Sequence, residues 1–392
     1  MSIRNVCPAC GGTKLDDLYH LTAIPVQSCV LLDDEAEARA FPLHDISIRF
    51  CQDCGFAFNA VFKPELVDYA AATEESQHFS GTFNAFANRI VEDIAQSYEL
   101  SEQKVLEVGC GKGDFLLALC QATGAVGLGV DPGYLPNREE QQKEDRISFR
   151  REYFDPDQIK TPPDYIICRH TLEHIADVDE FIGDVVKAAP RDRNVEVFFE
   201  TPDFQRVMAE GAFWDIYYEH CSYFSLGSHA RLLRRHGVDV HRSFLDYGEQ
   251  YIMQYGTLRD DRHAPDRDSD LDEMRGLAAA FPGKVAGVLN HWRSFVQDRK
   301  AAGRKVAIWG GGSKCVSFIT SNGLDQEIDA VIDINPFKQG KYLPKSAHLV
   351  SAPSVLADNP PDTVIAMNPI YMDEIAAELA RQGCGGAELV AV

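Results

Sequence analysis

The stretch from Val105 to Leu119 constrains the fold more than any other. Val105 to Val108 is apolar apart from Glu107 and reads as a short buried strand. Gly109, Gly111 and Gly113 follow at alternate positions, and Phe115 to Leu119 opens an apolar helix. Strand, glycine turn and helix make the opening unit of a doubly wound α/β sheet. The glycines let the backbone turn sharply and let a ligand approach where a Cβ would stand in the way.

The spacing narrows the ligand. Glu107-x-Gly109-x-Gly111-x-Gly113 is not the G-x-G-x-x-G of a dinucleotide fold. A second strand, Ala125 to Val130, ends at Asp131, an acidic tip that can accept both ribose hydroxyls of a nucleoside. Turn and aspartate together resemble the class I S-adenosylmethionine (SAM) dependent methyltransferases. That resemblance implies a SAM site at Glu107, Gly109, Gly111, Gly113 and Asp131. A third strand at Ile147 to Phe149 leads to Tyr153 and Phe154, placed to stack on an adenine ring. A fourth, Asp164 to Cys168, leads to Arg169-His170-Thr171-Leu172-Glu173-His174. Ligands of open α/β sheets sit at the carboxyl ends of the strands, so His170, on the cofactor side, and His174 should line the pocket.

A fifth strand, Asn194 to Glu200, precedes a crowded span. Phe213 to Ser225 holds six aromatic residues, two carboxylates and His220. Oxygen and nitrogen nucleophiles need at most one base for methyl transfer. A carbon nucleophile must first lose a proton beside a carbonyl, and the enolate must be stabilised. Histidine is a suitable base near neutral pH, and a tyrosine or a second histidine can donate to the enolate oxygen. His174, Tyr217, Glu219 and His220 therefore suit carbon methylation; O- or N-methylation of another small metabolite is the alternative. Val238 to Tyr247 and Tyr251 to Tyr255 are expected to close the sheet as an antiparallel hairpin.

Upstream, Cys7-x-x-Cys10 and Cys51-x-x-Cys54 are two knuckles, each followed by glycine. Four thiolates from two such knuckles make a closed tetrahedral zinc site with no open position, hence a structural one. Between residue 56 and residue 104 the chain bridges to the sheet, and a helix is expected from Phe83 to Tyr98. The loop before it, Tyr69 to Ser80, carries Tyr, Ser, Gln and His and could cover a ligand or serve as linker.

Downstream, Arg262 to Asp270 is charged and turn-like, a linker by composition. Leu271 to Lys300 reads as helices broken near Pro282-Gly283. A second α/β unit follows: a strand Lys305 to Trp309, the turn Gly310-Gly311-Gly312-Ser313-Lys314, a helix from Cys315 to Asn322 and a strand Ala330 to Asp333. Backbone N–H groups of such a turn suit a phosphate, with Lys314 and Lys338 adding charge.

The expected architecture is α/β throughout. A four-cysteine zinc module (1–65) precedes a Rossmann-like SAM core (66–260) and a Rossmann-like C-terminal α/β domain with its linker helices (261–392). That order resembles the three-domain sugar C-methyltransferases of deoxysugar biosynthesis. The strings Tyr217-x-Glu219-His220, Gly310 to Lys314 and Asn368-Pro369-x-Tyr371 agree with it. The resemblance implies a nucleotide-linked keto sugar as acceptor. His220 is then the base, His174 and Tyr217 steady the enolate, and Glu219 orients His220.

The net charge of −22 over 392 residues would repel phosphates and argues against nucleic acid as a partner. No apolar run approaches the roughly 18 residues of a membrane span, so a cytoplasmic protein, monomeric or weakly dimeric, is expected. The eleven cysteines are scattered rather than paired in a framework, which suits metal ligands and buried thiols.

Overall fold

In the computed structural model, Lys104–Val108 lies inside a seven-stranded sheet. Residues 3–30, 32–70, 73–74, 76–135, 145–190, 192–259 and 270–392 are described. Most of the expected linker, 262–269, therefore lies outside the described residues. Val126–Val130 and Ile147–Arg150 run parallel on one side of Lys104–Val108; Tyr165–Arg169 and Val195–Pro202 run parallel on the other. Tyr251–Leu258 and Val238–Asp246 complete the sheet as antiparallel strands. The central strand is buried from Val105 onward, as expected where helices cover both faces. Gly129 marks how tightly the second strand packs: a Cβ there would meet Phe149 at 2.6 Å and Cys110 Sγ at 2.7 Å.

The N-terminal segment forms its own antiparallel sheet from Leu15–Pro25, Leu43–Cys51 and Ala57–Asn59. Its fourth strand, Ser222–Tyr223, comes from the crowded span far along the chain. Phe56 packs on Phe224 with ring centroids 4.9 Å apart. The span after Phe213 is thus tied to the cysteine-bearing segment by backbone pairing as well as by aromatic contact.

The C-terminal sheet has five parallel strands in the order Val350–Ser351, Ala330–Ile332, Val306–Trp309, Thr363–Ala366, Glu388–Ala391. Leading into it, Leu271–Ala301 is one continuous helix, so the expected break at Pro282 is corrected. Tertiary packing outweighs the missing N–H. Phe281 meets Tyr19 and Phe204, while Trp292 meets Phe318, so both halves are seated on buried apolar surface. The helix before the core strand runs Gly81–Ser97, starting two residues before the expected Phe83, because the Ser80 hydroxyl caps it by accepting from Phe83 N at 3.2 Å.

Candidate active site

The three glycines of the first turn adopt φ of 75°, 53° and 84°. The Gly109 backbone passes so close to Thr171 that an added Cβ would lie 1.9 Å from its Oγ1. Asp131 ties the turn together: one carboxylate oxygen accepts from Gly111 N at 2.9 Å, the other from Gly133 N at 2.6 Å. Glu107 is 2% exposed, and its Oε2 has no hydrogen-bond partner. Burial pushes its carboxyl up to about 8, against the pull of Arg169. An orphaned buried carboxyl beside an open glycine cradle fits the amine and ribose groups of SAM.

These residues face a cavity of about 850 Å³. Tyr153 and Phe154 line it as well; Tyr153 is 65% exposed at the rim, and Phe154 packs on Phe181. His170, at φ 47°, also reaches the wall, but its ring is engaged by protein. Its Nε2 lies 2.8 Å from Glu200 and its Nδ1 3.6 Å from Glu173. Burial opposes the imidazolium, yet Glu200 and Glu173 outweigh it and hold His170 at about 9. Arg169 completes this buried network, 2.5 Å from Glu200 and stacked over Phe115.

On the facing wall the structure brings His174, Tyr217 and His220 together. The His220 ring lies 4.1 Å from that of Tyr217 and 4.7 Å from that of His174. Burial lowers the proton affinity of His220 well below the ordinary histidine value, and His174, His170 and Lys314 add to it. Burial likewise raises Tyr217 well above the ordinary phenol, which keeps it a hydrogen-bond donor. His174 Nδ1 is 3.1 Å from the Glu219 carbonyl oxygen, so Nδ1 carries the proton and Nε2 a lone pair.

Two expectations change here. Glu219 does not meet His220: its Oε1 accepts from the backbone N of Ser28 at 2.8 Å and from the Ser28 hydroxyl. Lys314 and Lys338 are not reserved for a phosphate: Lys314 pairs with Asp215 at 2.8 Å, and Lys338 with Asp333 at 3.4 Å. Tyr218 is a buried anchor, its ring on Phe62 and His44 and its hydroxyl accepting from Lys63 N at 2.9 Å.

Sequence reading passed over Ser28 and Glu173. Ser28 carries no local signal, since it meets Glu219 only across 191 residues of chain. Glu173 stands inside the strand-end string that was singled out, between the two histidines, and is 3% exposed.

The second glycine turn opens onto the same cavity through Gly310, Gly312 and Ser313. It repeats the first turn's geometry: Asp333 accepts from Gly311 N at 2.9 Å and from Asn335 N at 2.8 Å. The bridge loop lies between the two units. Tyr371 donates to Gln77 at 2.8 Å, and Glu374 accepts from Ser80 at 2.8 Å and Gly81 at 3.2 Å.

Cys7, Cys10, Cys51 and Cys54 converge, with all four Sγ atoms within 4.8 Å of one another. Cys7–Cys54 are 3.7 Å apart and Cys10–Cys51 3.6 Å, far beyond a disulfide. Four sulfurs about 2.3 Å from one tetrahedral centre stand about 3.8 Å apart, so the set fits. Gly12 N points at Cys10 Sγ from 3.3 Å, as a thiolate requires.

Comparison with known proteins agrees with this geometry. Residues 78–243 match a methyltransferase domain and residues 261–392 a C-methyltransferase C-terminal domain. C-methyltransferase NovU of Streptomyces niveus is 26% identical over 94% of this chain and 90% of its own. Among solved structures, magnesium protoporphyrin IX methyltransferase of Synechocystis, with bound SAH, is 17% identical. It covers 45% of this chain and 83% of its own at a TM-score of 0.36. A SAM-dependent methyltransferase of Mesorhizobium loti is 16% identical over 45% of this chain and all of its own, at 0.36. The protein is a class I SAM-dependent methyltransferase. Its two matched segments and its nearly full-length relative make it similar to SAM-dependent C-methyltransferases. Among the described residues no helix is long and apolar enough to cross a membrane.

Proposed function

We propose that the enzyme methylates a carbon beside the ketone of a nucleotide-linked deoxysugar. One observation carries the reading: the cavity that meets the first glycine turn also holds His220, Tyr217 and His174 and opens onto a second nucleotide-type turn. Glu107, Asp131 and the turn glycines hold SAM, with Tyr153 and Phe154 at the adenine and His170 holding the wall beside them. When bound, SAM supplies an electrophilic methyl group. His220, kept neutral by burial, takes the proton from the acceptor carbon, and the bonding pair moves to the ketone oxygen. Tyr217 donates a hydrogen bond to that oxygen; His174, with its Nδ1 proton spent on Glu219, donates there only as the imidazolium. Glu219 steadies the loop through Ser28 instead of orienting the base. The four cysteines hold a structural Zn²⁺ that fixes the sheet on which this loop is anchored.

The test combines the protein with SAM and a panel of nucleotide-linked keto sugars in D₂O. Exchange and methylation at the same carbon are expected, both lost in His220→Asn while calorimetric SAM binding persists. Product methylated on oxygen or nitrogen without C–H exchange would refute the reading. Elemental analysis is expected to return one zinc per chain, lost in Cys51→Ser.

A further inference from the structure

Beyond the residues already placed around the acceptor, one buried carboxylate stands closer to the two histidines than its role so far explains. One oxygen of Glu173, one nitrogen of His174 and one nitrogen of His220 lie within 4.8 Å of one another. A point therefore exists within about 2.8 Å of all three, the hydrogen-bonding distance of an oxygen atom. His220, whose one lone pair is used on the proton of the acceptor carbon, offers its N–H to that point, while His174 and Glu173 offer lone pairs. His174 spends its Nδ1 proton on the Glu219 carbonyl, which leaves Nε2 as acceptor. Glu173 is anchored from behind by the Thr201 hydroxyl at 3.2 Å and by its own carbonyl, which accepts from Cys221 N at 2.8 Å. One N–H donor and two acceptors hold a molecule that accepts one proton and donates two, which is water.

We propose that Glu173 is a positioning residue for the proton transfer, holding a water between His174 and His220 through which the proton taken by His220 leaves. The inference rests on the assignment of His220 as base. His220 receives the proton of the broken C–H bond, whose electron pair stays with the acceptor. The imidazolium passes its proton to the water, and the water passes one of its own to the Glu173 carboxylate, which releases it to solvent once product leaves. No oxidant, reductant or co-reactant is needed.

The surroundings require such a partner. The groups facing the cradle are His170 and Glu200 from the strand ends, Tyr217 and Glu219 from the loop, Tyr69 from the bridge and Lys314 from the second glycine turn. Lys314 and His170 disfavour a second positive charge on His220. Glu219 is turned to Ser28, and Glu200 is taken up by Arg169 and His170. Among the described residues, Glu173 is the carboxylate grouped with both histidines.

The experiment uses the full-length protein, labelled with ¹⁵N in its histidine rings and saturated with S-adenosylhomocysteine. Ring shifts of His174 and His220 are followed against pH in the parent protein, Glu173→Gln and Glu173→Asp. Removing a negative charge at this range lowers an imidazole midpoint by about one unit. Glu173→Gln is therefore expected to shift at least one of the two midpoints down by that amount, and Glu173→Asp to restore part of it. S-adenosylhomocysteine affinity should change less than about twofold in both. If Glu173→Gln does not fold, Glu173→Asp, which draws the charge back by one methylene, is read in its place for a smaller downward shift. Unmoved midpoints overturn the proposal whether or not His220 proves to be the base. An electron paramagnetic resonance signal of bound Mn²⁺ that Glu173→Gln abolishes would also overturn it, replacing the water by a cation. Loss of C–H exchange in His220→Asn bears on the base alone, so the two failures are separable.

Discussion

Gly109→Ala tests whether the first turn is built for close backbone approach. Gly109 sits at φ 75°, and an added Cβ would lie 1.9 Å from Thr171 Oγ1, 2.8 Å from its Cγ2 and 2.9 Å from its Cβ. The left-handed backbone costs an L-residue about 1–2 kcal/mol. Forcing a methyl into a filled space costs about 1–3 kcal/mol more. The sum, about 2–5 kcal/mol, is a large share of the stability of an ordinary domain. The two parts separate in a double-mutant cycle. Thr171→Ala removes the atoms at 1.9 and 2.8 Å and leaves the one at 2.9 Å. Gly109→Ala/Thr171→Ala should therefore recover part of the steric share and none of the backbone share. Urea unfolding of the four proteins gives the cycle, and calorimetric SAM binding reports whether the turn keeps its shape. Strict additivity of the two substitutions would refute the steric argument, because residues in contact must couple. Unfolding of Gly109→Ala within about 0.5 kcal/mol of the parent would refute both parts.

Other consequences follow from buried charge and from packing. His170 is held at about 9 against an ordinary 6.5, so the proton it gains on folding adds stability that is complete below pH 6.5 and lost as pH rises through 9. That amounts to about 3 kcal/mol at most, and denaturant titrations at pH 6 and pH 10 should show the loss in the parent protein but not in His170→Gln. Ser28→Ala strips the hydroxyl from Glu219 Oε1 and leaves the backbone N–H, for an expected loss of about 1–3 kcal/mol in urea unfolding; an unchanged midpoint would remove Ser28 as the anchor of the loop. Pro282→Ala restores a helical N–H inside Leu271–Ala301 and should raise stability by up to about 3 kcal/mol; a loss would show that the proline ring itself is packed.

Much of the sheet was legible because its signals are local. Three apolar residues around Glu107, alternate glycines and an acidic strand tip mark the first turn, and the structure shows Asp131 joined to Gly111 and Gly133. The hairpin expected at Val238 to Tyr247 and Tyr251 to Tyr255 forms, running on to Leu258. The helix around Pro282 was misjudged because the decisive contacts, Tyr19, Phe204 and Phe318, come from three distant segments. In the site, His174, Tyr217 and His220 were legible as residue types whose chemistry belongs together, and they do meet. The partner of Glu219 was not legible, because a carboxylate two methylenes from its backbone can turn toward any donor that the fold delivers.

By itself the sequence determined what each short segment can be. It marked strands with buried faces, turns that only glycine tolerates, two cysteine knuckles, and an imidazole and a phenol beside each other on one loop. Backbone sterics and hydrophobic periodicity act over a few residues, so they are written in consecutive letters. Only the tertiary structure decided which segments meet. It set Ser222–Tyr223 into the N-terminal sheet, turned Glu219 to Ser28, committed Lys314 to Asp215, and brought Glu173 within 4.8 Å of His174 and His220. Those pairings depend on burial, where the cost of an unpaired charge makes each group take whatever partner the packing brings within reach. In the proposed reading the glycine turn holds the methyl donor, while the groups around the acceptor come from segments far apart in the chain.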